Sequence, residues 1–275
     1  MESTKVNNAI DEAFAASRKR GEALFMPFLT VGDPEPAATI EILKVLEECG
    51  AGMVELGVPY SDPLADGPVI QRASERALRH RITIRQCIAI AKEAREAGVT
   101  IPFILFSYYN PVLQTGIELV MQEAAEAGIS GLIIPDLPHE EDGPAREACA
   151  KHGLHLIPLV APTSEQRIQR IVSKASGFIY CVSSLGVTGM RAQFHDGIDQ
   201  FLNTVKQAAS LPIAIGFGIS NAEQFKRFSG ICDGIVVGSA IVHQIEKSAP
   251  LLDSVAERER GLEQIREFVL QLRGQ

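Results

Sequence analysis

Short apolar runs rich in β-branched residues recur along the chain, each closed by glycine, proline or a polar residue and followed by a stretch whose apolar positions repeat at helical spacing. Eight such runs cover residues 24–29, 53–56, 103–106, 132–134, 154–160, 178–182, 213–216 and 234–237. Between them, residues 36–48 carry Ile40, Leu43, Val45 and Leu46, and residues 83–97 carry Ile84, Cys87, Ile88 and Ile90. Strands alternating with helices predict βαβ units and a parallel sheet. Eight units in 275 residues predict an α/β fold of the closed (β/α)₈ type, the TIM barrel, with an open doubly wound sheet as the competing arrangement. A single barrel commonly has this length, so one domain over 1–275 is expected. Ile10 and Phe14 mark an extra N-terminal helix that caps the barrel bottom, and residues 261–274 place Leu262, Ile265, Phe268, Val269 and Leu272 on one helical face.

In such a barrel the chemistry sits at the C-terminal ends of the strands. Glu55 falls there, directly behind Met53 and Val54, where an ionised carboxylate loses its hydration unless something compensates it. A buried basic partner is the structural alternative, yet no lysine or arginine stands at another strand end, Arg191 lying far into a loop. Desolvation without a cation raises a carboxyl toward the range useful for general acid–base work, so a catalytic role is the expectation for Glu55. The segment that follows, VPYSDPLADGP, holds Asp62 and Asp66 among Pro59, Pro63 and Pro68. Fixed proline φ angles make this loop stiff enough to return a carboxylate to one place, but the local sequence does not choose between the two aspartates.

Other strand-end polar groups have bland readings beside functional ones. Asp33 before Pro34 reads as a turn or helix cap, Asp136 as a turn initiator, and Tyr108 as rim packing with its hydroxyl in water. The six histidines lack metal-ligand spacing and read as surface or packing residues, so no metal is predicted.

The formal net charge of −8 argues against a nucleic-acid or anionic-membrane partner, while leaving room for an anionic small substrate held by local backbone N–H groups. Two glycine-rich runs supply such groups: Gly216-Phe-Gly-Ile219 after the seventh run and Gly238-Ser-Ala240 after the eighth. Their pairing after the last two strands matches the phosphate position of barrels, with a short helix expected near Ser239. Ser184-Leu-Gly-Val-Thr-Gly189 adds a third glycine loop. Five scattered cysteines, no signal-like start and no long apolar segment predict a cytoplasmic chain, or a plastid one if a transit segment has been removed.

The motifs Pro27-Phe-Leu-Thr-Val-Gly-Asp-Pro34, Glu55 through Pro68 with Ile70-Gln71, Tyr108-Tyr-Asn-Pro111, Pro135-Asp-Leu-Pro138, Ala161-Pro-Thr163, Gly186-Val-Thr-Gly189, Gly216-Phe-Gly-Ile219 and Gly238-Ser-Ala-Ile-Val242 occur in order along the chain. Over essentially its whole length the sequence thereby resembles the tryptophan synthase α subunit family. The resemblance implies a TIM barrel that cleaves indole-3-glycerol phosphate to indole and glyceraldehyde 3-phosphate, a retro-aldol reaction without a cofactor in this chain. It implies Glu55 as the acid–base residue and Asp66 as the group that binds and stabilises the indole N–H. Phe28, Phe106 and Ile133 would line the indole pocket, with Tyr108 near the reacting groups. Gly189, Gly218, Gly238 and Ser239 would hold phosphate, and Thr188 would hydrogen-bond Asp66 on loop closure. Tyr60 stands where many members have phenylalanine, with no expected consequence beyond loop packing. A pyridoxal-phosphate β subunit in an α₂β₂ complex is the implied partner, with Asp62 and Asn110 at the contact. A stand-alone indole-glycerol phosphate lyase and a non-catalytic, allosteric phosphate-binding barrel are the alternatives.

Overall fold

The computed structural model describes residues 6–182, 197–216 and 218–275. Nine parallel strands appear among them: β1 (Leu24–Thr30), β2 (Val54–Gly57), β3 (Phe103–Phe106), β4 (Ile129–Ile133), β5 (His155–Leu156), β6 (Leu159–Val160), β7 (Ile179–Val182), β8 (Ile213–Gly216) and β9 (Gly234–Val237). Their hydrogen-bonded order, β5-β4-β3-β2-β1-β9-β8-β7-β6, runs round a ring in which the first strand pairs with the last. The expected fifth strand over 154–160 is split into β5 and β6. Pro158 has no N–H to donate. At this point the chain changes neighbours: the Ile157 N–H donates to the Leu132 carbonyl at 2.9 Å, and the Pro158 carbonyl accepts from the Tyr180 N–H at 3.1 Å. The ring is thus an eight-stranded barrel closed there by the chain itself, and the open-sheet alternative is excluded.

Period-two alternation divides the apolar residues between two cores. Outward-facing Phe25, Leu29, Leu105 and Leu132 pack under the surrounding helices, whereas Met26, Phe28, Met53, Ile104, Phe106, Ile133 and Val236 fill the interior. The helix Ala9–Arg20 closes the bottom, sending Ile10 and Phe14 into that interior, with the Phe14 and Phe178 rings 5.2 Å apart. Asn8 starts this helix with a capping box, and its Nδ2 donates to the carbonyls of Ser130 and Gly153 at 2.8 and 2.9 Å. Buried His155 lies 2.7 Å from Asp11, as a packing residue on the same bottom face.

The final helix, Arg258–Arg273, buries Leu262, Ile265, Val269 and Leu272 as its periodicity predicts, Phe268 being half-buried. Its arginines hold the helix Pro36–Glu48: Arg258 reaches Glu35 and, at 3.3 Å, Glu41, while Arg266 meets Glu48 at 2.7 Å. The five cysteines are all buried and free. No helix among the described residues is long and apolar enough to cross a membrane.

Candidate active site

Met53, Glu55 and Gly57 share the inward face of β2, because alternate residues of a strand point the same way. Glu55 is in register with Phe28 on β1 and Ile104 on β3, above an apolar floor. Its side chain is 1% exposed, and its Oε1 has no hydrogen-bond partner among the described residues. Burial alone drives the carboxyl well above the usual range. Tyr180 of β7 lines the same cleft, and burial followed by the charge of Glu55 holds its hydroxyl well above its ordinary value.

Asp66 arrives from the loop after β2, directly before the helix Pro68–Arg79. Turn bonds shape that loop: the Leu64 N–H donates to the Asp62 carbonyl at 3.0 Å and the Asp66 N–H to the Pro63 carbonyl at 3.2 Å. Gln71 Nε2 donates to the Asp66 carbonyl at 2.7 Å. The Tyr108 hydroxyl donates to Asp66 Oδ2 at 3.1 Å and accepts from the Ala65 N–H at 2.9 Å. Burial raises the Asp66 carboxyl to about 6, with the Tyr108 hydrogen bond pulling it down. Tyr108 is therefore buried and bonded, and its hydroxyl does not sit in water as rim packing would have it.

These carboxyls face a cleft lined by Phe28, Glu55, Asp66, Ile70, Phe106, Tyr180, Gly218, Val236, Gly238 and Ser239. No lysine, arginine or histidine is among the described lining residues. Phe28 and Phe106 meet edge to face at 5.6 Å, an aromatic wall beside two acids. Beside Phe28, Gly238 and Ser239 begin the helix Ser239–Leu252, which runs fourteen residues and is not the short helix expected. That helix has no side-chain cap, so its first-turn N–H groups are available to an anion in the cleft. Gly218 has φ +98°, a left-handed conformation that favours glycine. Gly57 is required by proximity, since a Cβ there would stand 2.4 Å from Phe28 Cζ.

The sequence-predicted residues divide accordingly. Glu55, Asp66, Phe28, Phe106, Gly218, Gly238 and Ser239 converge on the cleft. Ile133 lies beneath it, in register with Phe106 inside the barrel, and Tyr108 backs Asp66 from behind the wall. Thr188 and Gly189 lie outside the described residues. Asp62 and Asn110 are exposed beyond the cleft, Asp62 two residues before Leu64, which is 85% exposed. Asn110 Nδ2 donates to the Tyr60 hydroxyl at 3.4 Å, and the Tyr60 ring stacks on Tyr108 at 5.0 Å. Tyr60 thus does more than pack the loop.

Ile70, Tyr180 and Val236 also line the cleft without having been predicted there. Ile70 stands in a motif that carries the family resemblance, but Tyr180 and Val236 look like any other residue of an apolar strand. Asp136 accepts from the Tyr109 N–H at 2.8 Å, tying the loop after β4 to the start of the helix Tyr109–Thr115. A wider opening lies between the helices Gly143–Lys151 and Glu165–Val172. Its Asp142 is already matched by His139 and Arg146, so it lacks the uncompensated acids of the smaller cleft. Among the described residues, no cluster of three or more histidine, cysteine or carboxylate side chains is placed to hold a metal ion.

A family model described as tryptophan synthase alpha chain matches residues 14–271. The tryptophan synthase alpha chain of Geobacillus kaustophilus is 54% identical over 239 residues, covering 87% of this chain and 89% of that one. That of Bacillus subtilis is 48% identical over 261 residues, covering 95% and 98%. Among solved structures, the alpha subunit of Legionella pneumophila superposes with a TM-score of 0.86 at 33% identity, covering 98% of each chain. A chain of the Pyrococcus furiosus tryptophan synthase a2b2 complex, a complex described as mutually activated, gives 0.82 at 32% identity, covering 93% of this chain and 98% of that one.

Proposed function

Since the chain belongs to the tryptophan synthase alpha chain family, we propose that it is the carbon–carbon lyase that splits indole-3-glycerol phosphate into indole and glyceraldehyde 3-phosphate. The observation that carries this reading is Glu55: a fully buried carboxyl at a strand end, aimed into a cleft, with no cation among the described lining residues. Burial raises its carboxyl well above the usual range and so favours the protonated form that a general acid requires.

The reaction has no net proton change, so one group can serve it throughout. Glu55 delivers its proton to the indole ring carbon that carries the glycerol chain, which places positive charge on the ring nitrogen. The carbon–carbon bond then breaks as the glycerol hydroxyl next to the ring loses its proton to the Glu55 carboxylate. The electron pair of the broken bond returns to the ring, the aldehyde forms, and Glu55 is protonated again. Asp66, with a carboxyl near 6, is ionised above that pH and offsets the charge on the ring nitrogen. Phe28 and Phe106 supply the aromatic wall for indole, and Gly218, Gly238 and Ser239 the phosphate end.

We extend the same reading to the rest of the molecule. The whole chain acts as one barrel domain and hands indole to a β subunit that carries pyridoxal phosphate, in an α₂β₂ complex. Asp62 and Asn110, both exposed, belong to that contact. The test is indole release from indole-3-glycerol phosphate by the purified chain, alone and with a β subunit added, with Glu55→Gln as the blank. Slow release that rises strongly with β, and disappears in Glu55→Gln, is the expected result. Rapid release indifferent to β would make the protein a stand-alone lyase, and no release in either case would leave it a binding barrel.

A further inference from the structure

Two walls of the cleft are the beginnings of two helices far apart in sequence. Pro68–Arg79 follows Asp66 and contributes Ile70, and Ser239–Leu252 contributes Ser239. Their separation sets the distance from the acid that meets the ring to the N–H groups that meet the phosphate. Four charged side chains below the cleft hold them together. Arg76 donates from Nε and Nη2 to both oxygens of Asp33 at 2.6 and 2.9 Å, and from Nη1 to Glu246 at 2.7 Å. One turn earlier, Arg72 grips both oxygens of the same Glu246 at 2.8 Å each. His243 Nδ1 stands 3.3 Å from Glu246.

Asp33 does sit in a turn, its N–H donating to the Thr30 carbonyl at 3.2 Å, but its reading as a helix cap fails. The helix Pro36–Glu48 is preceded by Glu35 and has no side-chain cap, whereas the Asp33 side chain is 1% exposed beneath Arg76. Burial pushes the Asp33 carboxyl up, and Arg76 opposes that shift. Arg72 above all, with Arg76, holds Glu246 down at about 2, although its own partial burial works the other way. The arrangement is neutral overall and directional. A planar guanidinium engages two carboxylates at fixed angles, which a point-charge ammonium cannot reproduce.

We propose that Arg76 is a positioning residue for the cleavage: it sets the spacing between Asp66 and the phosphate-facing helix by bridging Asp33, on the loop after β1, to Glu246. Asp33 fixes the guanidinium to the barrel, and Glu246 fixes the second helix to the guanidinium. Arg72 reinforces only the second link, from a half-exposed position. This inference rests on the proposed function, because the spacing matters only for a ligand that spans ring and phosphate.

The test compares Arg76→Met, Arg76→Lys and Glu246→Gln with wild type, and with Arg85→Met as a control. Arg85 makes a similar fork to Glu123 but joins helices away from the cleft. Each variant is assayed for Tm, for KM and kcat on indole-3-glycerol phosphate, and for calorimetric binding of glycerol 3-phosphate as a phosphate-bearing probe. Both Arg76 variants are expected to raise KM about tenfold or more, since small misplacements of binding groups are amplified in rate and affinity. They also weaken the probe, Glu246→Gln does so to a smaller degree, and Arg85→Met matches wild type. Wild-type KM and probe binding in Arg76→Lys and Glu246→Gln, whatever their Tm, would reduce the cluster to a stability device and overturn the proposal. These two variants carry the test if Arg76→Met does not fold. If wild type itself releases no indole, the proposed function fails separately, and probe binding alone decides the role of Arg76.

Discussion

Replacing Asp66 by asparagine should make the protein more stable and less active, with the stability gain confined to neutral and alkaline pH. Burial moves this carboxyl from 3.8 to about 6. A carboxyl with a raised native value takes up protons more readily folded than unfolded, so its favourable contribution is full below about pH 4 and is lost as the pH rises through 6. A shift of this size corresponds to about 3 kcal/mol by pH 8. Asparagine carries no charge to desolvate and keeps an oxygen that can accept from the Tyr108 hydroxyl. Asp66→Asn is therefore expected to exceed wild type by about 2–3 kcal/mol at pH 8, and to fall within about 1 kcal/mol of it at pH 4.5. For a chain of this size that difference is about 3–5 °C in Tm. The assay is urea or thermal unfolding of both proteins at the two pH values, alongside indole release, which should drop by about 100-fold or more without the ring-nitrogen partner. A stability difference that is the same at pH 4.5 and pH 8 would refute the argument from burial.

Tyr108→Phe removes the hydroxyl that lowers Asp66 and leaves the stack on Tyr60 intact, so the acid limb of the kcat profile should move upward from about 6; an unmoved limb would detach Tyr108 from Asp66. Gly57→Ala puts a methyl 2.4 Å from Phe28 Cζ and 3.0 Å from the Leu29 carbonyl oxygen. It should destabilise the barrel by about 1–3 kcal/mol and raise KM as Phe28 is pushed toward the cleft, whereas wild-type values in unfolding and kinetics would mean the strands shift freely.

The barrel was legible because its signal is periodic and local. All eight apolar runs hold strands, and Thr83 opens the helix Ile84–Glu96 with a capping box, as its spacing to Gln86 permits. The split at Pro158 was harder to see, since a proline in an apolar run reads equally well as an edge or a break. Glu55 was legible for a different reason: a carboxylate directly after an apolar run conflicts with burial and calls for an explanation. Asp33 was not, because its meaning depends on Arg76, 43 positions away, and on Glu246, still further along. Tyr180 and Val236 were silent for a related reason, as only the curvature of the sheet decides which inward residues reach the cleft.

The pairing of β1 with β9 has a consequence for the order in which the molecule becomes useful. Every other contact in the ring joins strands adjacent in the chain, whereas this one unites Leu24–Pro27 with Gly234–Val237 and closes a loop of some two hundred residues. A chain emerging from the ribosome carries Glu55 and Asp66 long before it has Gly238 and Ser239. The acids are written early and the anion's berth last, so the site comes into being only when the two ends of the sequence meet.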